Sequence, residues 1–495
     1  MSRAFGKLGG GWWVAAVGAL TVVAFVLRAV LLRDSLFGDE LFMYRIVHNQ
    51  SVGDVMSVVR HTEKTPPLFF YLVGASAKLG GSTVWFRLPS LAFAVGLVPL
   101  TYVLGLRTVG RAAGLAGAAI VALDPFTIFY GTEGRAYSAL AFLAALSTLC
   151  LLQALDTNRR RWWVAYVVAV VAVVYTHYMG VFVLVAQVAW AAWTRSERIR
   201  QLLIANAFVL LAYVPWIPSY LLQQSHSDKE ARGIARFAPA SVERLGEINV
   251  KALLGHPLVE LPELPGRPAF IAAMVVVIVA AVVAATRAWR HRRQGPGLSS
   301  PIALVLLLAV ATPAGVGLVS LRPDMSFMLP RNLSPSLVAL ALLVGWLLTS
   351  LGRRASIPVI AVMFVVLVIG AADSLEDSNR RPPFRSVAHL LDAEARPGDP
   401  IIQESFLPPT GAPDDVLLIN FRHPHPLFRG SAGERQAWAL GRRGGRVFLV
   451  LPLPGIYKSV PHLGRRNGPG KRFVLVSEHR YTGFWDILVG TYALG

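Results

Sequence analysis

Cysteine is almost absent. Cys150 stands alone in 495 residues, so no intrachain disulfide can hold the chain together. It lies inside an apolar run and reads as small core filler. Charge is scarce too. Asp, Glu, Lys and Arg make up only 15% of the residues, and acids (28) are outnumbered by bases (48), leaving a net charge of +20. No His, Cys or carboxylate spacing suits a metal ion, no glycine-rich loop suits a nucleotide phosphate, and no cysteine-based nucleophile is set up. Internal repeats and low-complexity stretches are also missing. These absences set aside a disulfide-stapled domain, a resident metal centre, a nucleotide-binding loop and a solenoid. No cofactor is required; a divalent cation is not indicated, although the chemistry leaves room for one.

Apolar sequence is what the chain has in excess: 54% of it is hydrophobic, and the mean hydropathy is +0.53. A soluble core cannot bury that much, whereas a bilayer can. Runs long enough to span lie at 12–32, 84–106, 112–131, 136–155, 162–176, 178–193, 200–222, 268–288, 300–321, 332–350 and 355–373. The positive charge follows from this layout. Arg107 with Arg111, Arg159 to Arg161, Arg195 to Arg200, Arg287 to Arg293, and Arg353 with Arg354 occupy short loops between the runs. That is the positive-inside pattern of a membrane protein, and it gives no reason to expect nucleic acid. The first run is too long for a signal-peptide core and reads as an uncleaved span with a cytoplasmic N-terminus.

The cationic loops alternate correctly only if the short Pro66–Leu79 segment does not cross, so it reads as interfacial or re-entrant on the outer side. Eleven spans result, with outer connections at 34–83, 223–268 and 322–331. After Ser374 the apolar runs shrink to strand length. Ile401–Glu404, Val416–Phe421, Val447–Leu451, Phe473–Val476 and Trp485–Tyr492 read as strands, and Ser386–Ala395 as a helix stopped by Pro397-Gly398. The expected fold is an all-α polytopic membrane domain over 1–374 and a small extracytoplasmic α/β domain over 375–495.

Polar residues that carry chemistry gather on the expected outer side. Asp39 and Glu40 follow the first span; one could serve as a general base, or the pair could simply cap the helix that follows. Glu63 and Lys64 precede Pro66-Pro67. Lys64 suits a phosphate as a point charge, while an amphipathic connector with a proline start accounts for the segment on its own. Glu133, Arg135 and Tyr137 lie in a turn between spans. An arginine there runs against the positive-inside trend and calls for an anion, either a ligand phosphate or an acid such as Glu133 or Asp124. His177 and Tyr178 divide two spans and suit sugar hydroxyls or an interfacial aromatic belt. Arg331 also lies against the charge trend, where a lipid phosphate or snorkelling to headgroups would explain it.

The order of these elements resembles that of known enzymes. Asp-Glu follows a first span, then come Glu-Lys-Thr-Pro-Pro-Leu (63–68), Arg-Leu-Pro-Ser (87–90), Glu-x-Arg-x-Tyr (133–137), Thr-His-Tyr (176–178) and Pro-Arg-Asn (330–332). Over roughly 12–350 the chain resembles the GT-C glycosyltransferases of the family 39-like group, which includes the dolichyl-phosphate-mannose protein mannosyltransferases and the aminoarabinose transferases. The resemblance implies a polyprenyl-phosphate sugar donor, Asp39 as catalytic base, and an inverting single displacement. It also implies basic residues on the donor phosphate, for which Lys64, Arg135 and Arg331 are the candidates. Glu40 or Glu63 would orient the acceptor, and Glu133, Tyr137, His177 and Tyr178 would line the substrate site. Lys64 falls in a Glu-Lys-x-Pro context like that of the aminoarabinose transferases. The His-Pro-Pro usual in the protein mannosyltransferases is not found here. The expected partners are the donor lipid, a glycan, lipid or protein acceptor, and membrane lipids, in a bacterial inner membrane. The competing class is a transporter or flippase of a lipid-linked or anionic substrate, which typically carries inverted repeats that this sequence lacks.

Parity makes the layout testable. Reporter fusions after Ser82 and after Gly495 should both report outside the cytoplasm, and a cytoplasmic signal from the second would overturn the topology.

Overall fold

The computed structural model describes residues 11–48, 50–256, 267–292, 300–322, 324–404, 416–453 and 473–495. Part of the expected outer loop 223–268, namely 257–266, lies outside the described residues, as do Arg3 and Lys7. Two compact units emerge. One comprises Met1–Val30 and Ile46–Ser374; the other comprises Leu31–Arg45 and Leu375–Gly495. The segment carrying Asp39 and Glu40 therefore folds with the C-terminal residues, and the 34–83 connection is divided between the units.

The first unit is helical. Each of the eleven apolar runs forms helix, and among the described residues seven helices are long and apolar enough to cross a bilayer. Leu68–Ala77 is an apolar helix of 10 residues, too short to cross. The 112–131 run is broken. Arg111–Leu123 stops at Asp124, whose carboxylate caps a new helix, Pro125–Tyr130, by accepting from the Phe126 and Thr127 amides. Tyr137–Thr157 and Pro330–Ser350 are mostly buried. Gly11–Arg33, Ser196–Gln224 and Arg354–Asp373 instead show exposed Phe25, Phe208 and Phe364, as lipid-facing helices do.

Close packing in the bundle depends on missing side chains. A Cβ on Gly105 would lie 2.4 Å from the Gly114 Cα, and one on Gly345 would lie 2.4 Å from the Ala113 carbonyl oxygen. Thr83–Thr108, Arg111–Leu123 and Leu337–Ser350 thus meet backbone to backbone, the packing that substitutes for a hydrophobic driving force in lipid. Among the ions buried here is Arg28. The Arg28 guanidinium, fully removed from solvent, donates to the Ala24, Ala122 and Val121 carbonyls at 2.9, 3.0 and 3.1 Å and to Thr127 Oγ1 at 3.0 Å. These bonds are what make a buried cation tolerable.

The second unit contains a five-stranded sheet in the order β2-β1-β3-β5-β4, with β1 Ile401–Gln403, β2 Leu427–Arg429, β3 Arg446–Leu453, β4 Phe473–Tyr481 and β5 Asp486–Leu494. β1 pairs in parallel with β2 and β3, and β5 pairs antiparallel with β3 and β4. Trp438, from the helix Gly430–Gly444, packs edge-on to Tyr492 and beside Phe473 over the sheet. The expected strand at Val416–Phe421 is instead a helix, Val416–Asn420, with Val416 and Leu417 buried. A short buried apolar run lacks the alternation that separates the two states. The edge position beside β1 is taken by β2, three residues that follow Pro424 and Pro426 and gave no strand pattern.

The glycine contact can be tested. Gly345→Leu should lower stability by about 1–3 kcal/mol through overpacking. Gly18→Leu, where a Cβ meets nothing within 4 Å, should stay within about 0.5 kcal/mol of wild type. Thermal unfolding in detergent measures both, and equal effects would dismiss the backbone contact as a constraint.

Candidate functional site

In the membrane unit, the candidate residues are held by three connections between helices. The first is the turn after Tyr130. Thr132 Oγ1 donates to the Phe129 carbonyl at 2.9 Å, Ser138 Oγ to the Tyr130 carbonyl at 2.8 Å, and Ser90 Oγ to the Arg135 carbonyl at 3.3 Å. Glycine is required within it: a Cβ on Gly134 would lie 2.0 Å from the Phe86 ring. The turn therefore sits tight against the helix Thr83–Thr108, with Glu133 buried and Arg135 directed to one side.

The second connection, Glu63 to Pro67, lies between the helices Val52–Thr62 and Leu68–Ala77. Its shape is fixed from a distance. The buried Gln223 donates to the Val59 carbonyl at 2.8 Å and to the Thr65 carbonyl at 3.4 Å, and accepts from the Tyr178 hydroxyl. Tyr178 also accepts from Trp216 Nε1 at 3.0 Å. Tyr178 is thus part of the scaffold that holds the Glu63–Lys64 loop.

The third connection brings in His177, which separates the helices Arg160–Thr176 and Gly180–Thr194. Its Nδ1 accepts from the Met179 amide at 3.2 Å, so in the neutral ring the proton sits on Nε2.

Five of the expected residues converge. The Arg135 guanidinium lies 3.8 Å from the Glu63 carboxylate. Arg331 lies over the Tyr137 ring, 5.9 Å from its centroid, and the Tyr137 and His177 rings are 6.0 Å apart. Both arginines also act on His177. Burial, then the charges of Arg135 and Arg331, pull its pKa from the usual 6.5 down to about 3. Two cations and a neutral, buried imidazole therefore share one neighbourhood, with the Glu63 carboxylate against Arg135. Lys64 is half-buried next to Glu63 in the chain. Sequence reasoning missed Gln223, and it missed His256, which is buried edge-on to Phe129 at 5.5 Å. A glutamine at the start of a polar loop carries no signal, since its partners come from segments 45 and 158 residues away. Among the described residues no cluster of His, Cys, Asp and Glu suits a metal ion.

Asp39 and Glu40 belong to the other unit and open the helix Asp39–Val47. Asp39 is half-exposed. Glu40 differs from the expectation of a substrate-facing carboxylate. It is fully buried, accepts from the Phe37 amide at 3.4 Å, and lies 3.4 Å from Arg381 Nε.

The helical bundle, with its cationic cluster between helices, and the small mixed sheet that follows define a polytopic helical membrane protein with a C-terminal α/β unit. Residues 64–219 match the family model of the dolichyl-phosphate-mannose-protein mannosyltransferases. Among solved structures, ArnT from Cupriavidus metallidurans in the apo state is similar at TM-score 0.55 and 16% identity, covering 97% of this chain and 98% of that one. The same protein bound to undecaprenyl phosphate matches at 0.55 and 15%, with the same coverage. The archaeal oligosaccharyltransferase AglB from Archaeoglobus fulgidus, in complex with an inhibitory peptide and a dolichol-phosphate, matches at 0.50 and 10%, covering 89% and 69%. No curated protein sequence matches. These likenesses show that the chain shares the fold of ArnT and AglB.

The state of His177 gives a stability test. Its folded pKa is depressed, so as pH falls below about 6.5 the unfolded chain takes up a proton that the folded one refuses. That costs about 2 kcal/mol at pH 5 relative to pH 8. His177→Gln should remove this share of the acid loss in unfolding measurements at the two pH values. Identical pH slopes for the two proteins would show that His177 is not held neutral.

Proposed function

We propose that this chain is a membrane glycosyltransferase that moves a sugar from a polyprenyl-phosphate donor to an envelope acceptor, a glycan, lipid or protein, at the outer face of a bacterial inner membrane. The observation that carries the reading is the convergence of Arg135 and Arg331 on buried His177, beside Glu63 and Tyr137. Two cations half removed from water, against the charge trend of the loops, suit a phosphate better than headgroup snorkelling. The similarity to a fold solved with undecaprenyl phosphate supports the same class of donor.

The chemistry asks little of the protein beyond placement and charge. In the proposed step the acceptor oxygen attacks the anomeric carbon while the bond from that carbon to the phosphate oxygen breaks on the opposite face. The acceptor proton passes to Asp39, and polyprenyl phosphate leaves as the anion. A phosphate leaves readily, so a strong general acid is unnecessary. Arg135, Arg331 and Lys64 neutralise the charge that develops on it. His177, with its proton on Nε2, offers a hydrogen bond without adding charge. Glu63 holds Arg135 in place, and Glu40 supports the loop without touching the acceptor. A transporter would need the same cations but no base.

Purified full-length protein, incubated with a panel of radiolabelled polyprenyl-phosphate sugars, should transfer or hydrolyse at least one. Asp39→Asn should lower the rate by about 10²–10⁴-fold while the protein stays folded. Arg331→Gln should mainly raise KM for the donor, by about tenfold or more. Near-normal turnover by Asp39→Asn would remove that residue from the mechanism, and the absence of any turnover across the panel would remove the reading itself.

A further inference from the structure

The Arg380-Arg381-Pro382-Pro383-Phe384-Arg385 segment lies just after the last apolar run, and three arginines there again oppose the charge trend expected of an outer region. All three engage the short segment that carries Asp39. Arg380 makes a two-pronged ion pair with Asp34, whose side chain is 7% exposed. Arg381 pairs with Glu40 at 3.4 Å, with the two side chains 3% and 0% exposed. Arg385 donates twice, its amide to Ser35 Oγ at 2.8 Å and its guanidinium to the Arg33 carbonyl at 3.2 Å. Phe37 meets the Trp485 ring edge-on at 5.0 Å. The arginine segment is itself anchored: the Arg380 carbonyl accepts from the Phe484 amide at 2.7 Å, and a Cβ on Gly483 would lie 2.7 Å from the Pro383 ring.

Such contacts exceed what tethering a loop needs. A buried pair between Arg381 and Glu40 is weak as a source of stability, because desolvating both ions offsets their attraction. It is strong as a source of register, because either ion alone would be left charged in a dry site. Glu40 stands next to Asp39 in the first turn of its helix, and Gly38 before it adopts a left-handed φ of +59°. Fixing the Glu40 carboxylate at Arg381 and the Phe37 amide therefore fixes the direction in which the neighbouring Asp39 leaves the turn.

We infer that residues 380–385 of the C-terminal unit form a clamp that sets the geometry of the Asp39 segment, with Arg381 as a positioning residue acting through Glu40. The inference rests on the role proposed for Asp39. It assigns the C-terminal unit to the transfer step itself, in addition to any part in acceptor selection.

The test compares wild type, Arg381→Ala, Arg381→Lys and Glu40→Gln in the full-length protein. Two readouts are taken: sugar transfer from the polyprenyl-phosphate panel, and amide hydrogen exchange of peptides covering 33–45 and 486–494. Arg381→Ala should lower kcat by about 10²-fold with donor KM unchanged, the loss expected from a base misplaced by about 1 Å. Exchange should rise in 33–45 and stay low in β5, so that local loosening is separated from global unfolding. Arg381→Lys, which keeps the charge, should recover part of kcat, and Glu40→Gln should reproduce the alanine effect. Unchanged kcat, a loss carried by KM, or unaltered exchange in 33–45 would each overturn the clamp. If wild type uses no donor at all, the proposed function fails, and the exchange readout still decides whether Arg381 orders the segment.

Discussion

An ion taken out of water needs an answering group within a few ångströms, and this constraint arranges the polar parts of the protein. At Arg28 the answer is three backbone carbonyls and a threonine hydroxyl, with the buried Asp124 carboxylate nearby, which makes the cation a structural strut. At Arg381 the answer includes the equally buried Glu40 carboxylate. Around His177 the balance differs, with two guanidiniums acting on the ring and one carboxylate, Glu63, at 3.8 Å from Arg135. Two guanidiniums brought to one buried ring make this the part of the unit best suited to an anion.

The neutral state of His177 belongs to the same balance. A protonated ring there would add a third positive charge in a dry site, and its pKa near 3 reflects that cost. Because Nδ1 is occupied by the Met179 amide, the ring has one direction in which to donate. The loops that carry these groups are fixed by uncharged contacts. Gly134 lets the turn sit against Phe86, and Gln223 ties the Glu63–Lys64 loop to Tyr178. Orientation and charge are thus supplied by different residues, so a substitution in one set need not mimic a substitution in the other.

Much of this was legible in the sequence, for identifiable reasons. Apolar length marks a membrane helix whatever its partners, so all eleven runs were readable. Arg135 and Arg331 stood out because they broke the charge rule that the short loops between the apolar runs obey. Glu63, Tyr137 and His177 were reachable because each sits at a break between apolar runs. What escaped depends on partners far away in the chain. Arg28 looked like one charge at the end of a span, yet its acceptors lie over 90 residues on. Glu40 looked substrate-facing because its neighbour does, and only Arg381, 341 residues later, shows it turned inward. Val416–Asn420 failed for a local reason: four apolar residues in a row, two of them buried, have no period to read.

The assignment of Leu31–Arg45 to the C-terminal unit has a consequence for biosynthesis. About 330 residues separate the end of that segment from Leu375, and at 5–20 residues per second a ribosome takes roughly 15–70 s to cover them. During that interval the carboxylates at 34 and 40 are already past the first span but have not yet met Arg380 and Arg381. The loop can settle only when the final quarter of the polypeptide has emerged and folded. A nascent or prematurely terminated chain would therefore carry the acidic residues without the arrangement that orders them, so that whatever this loop does becomes available only on the finished molecule.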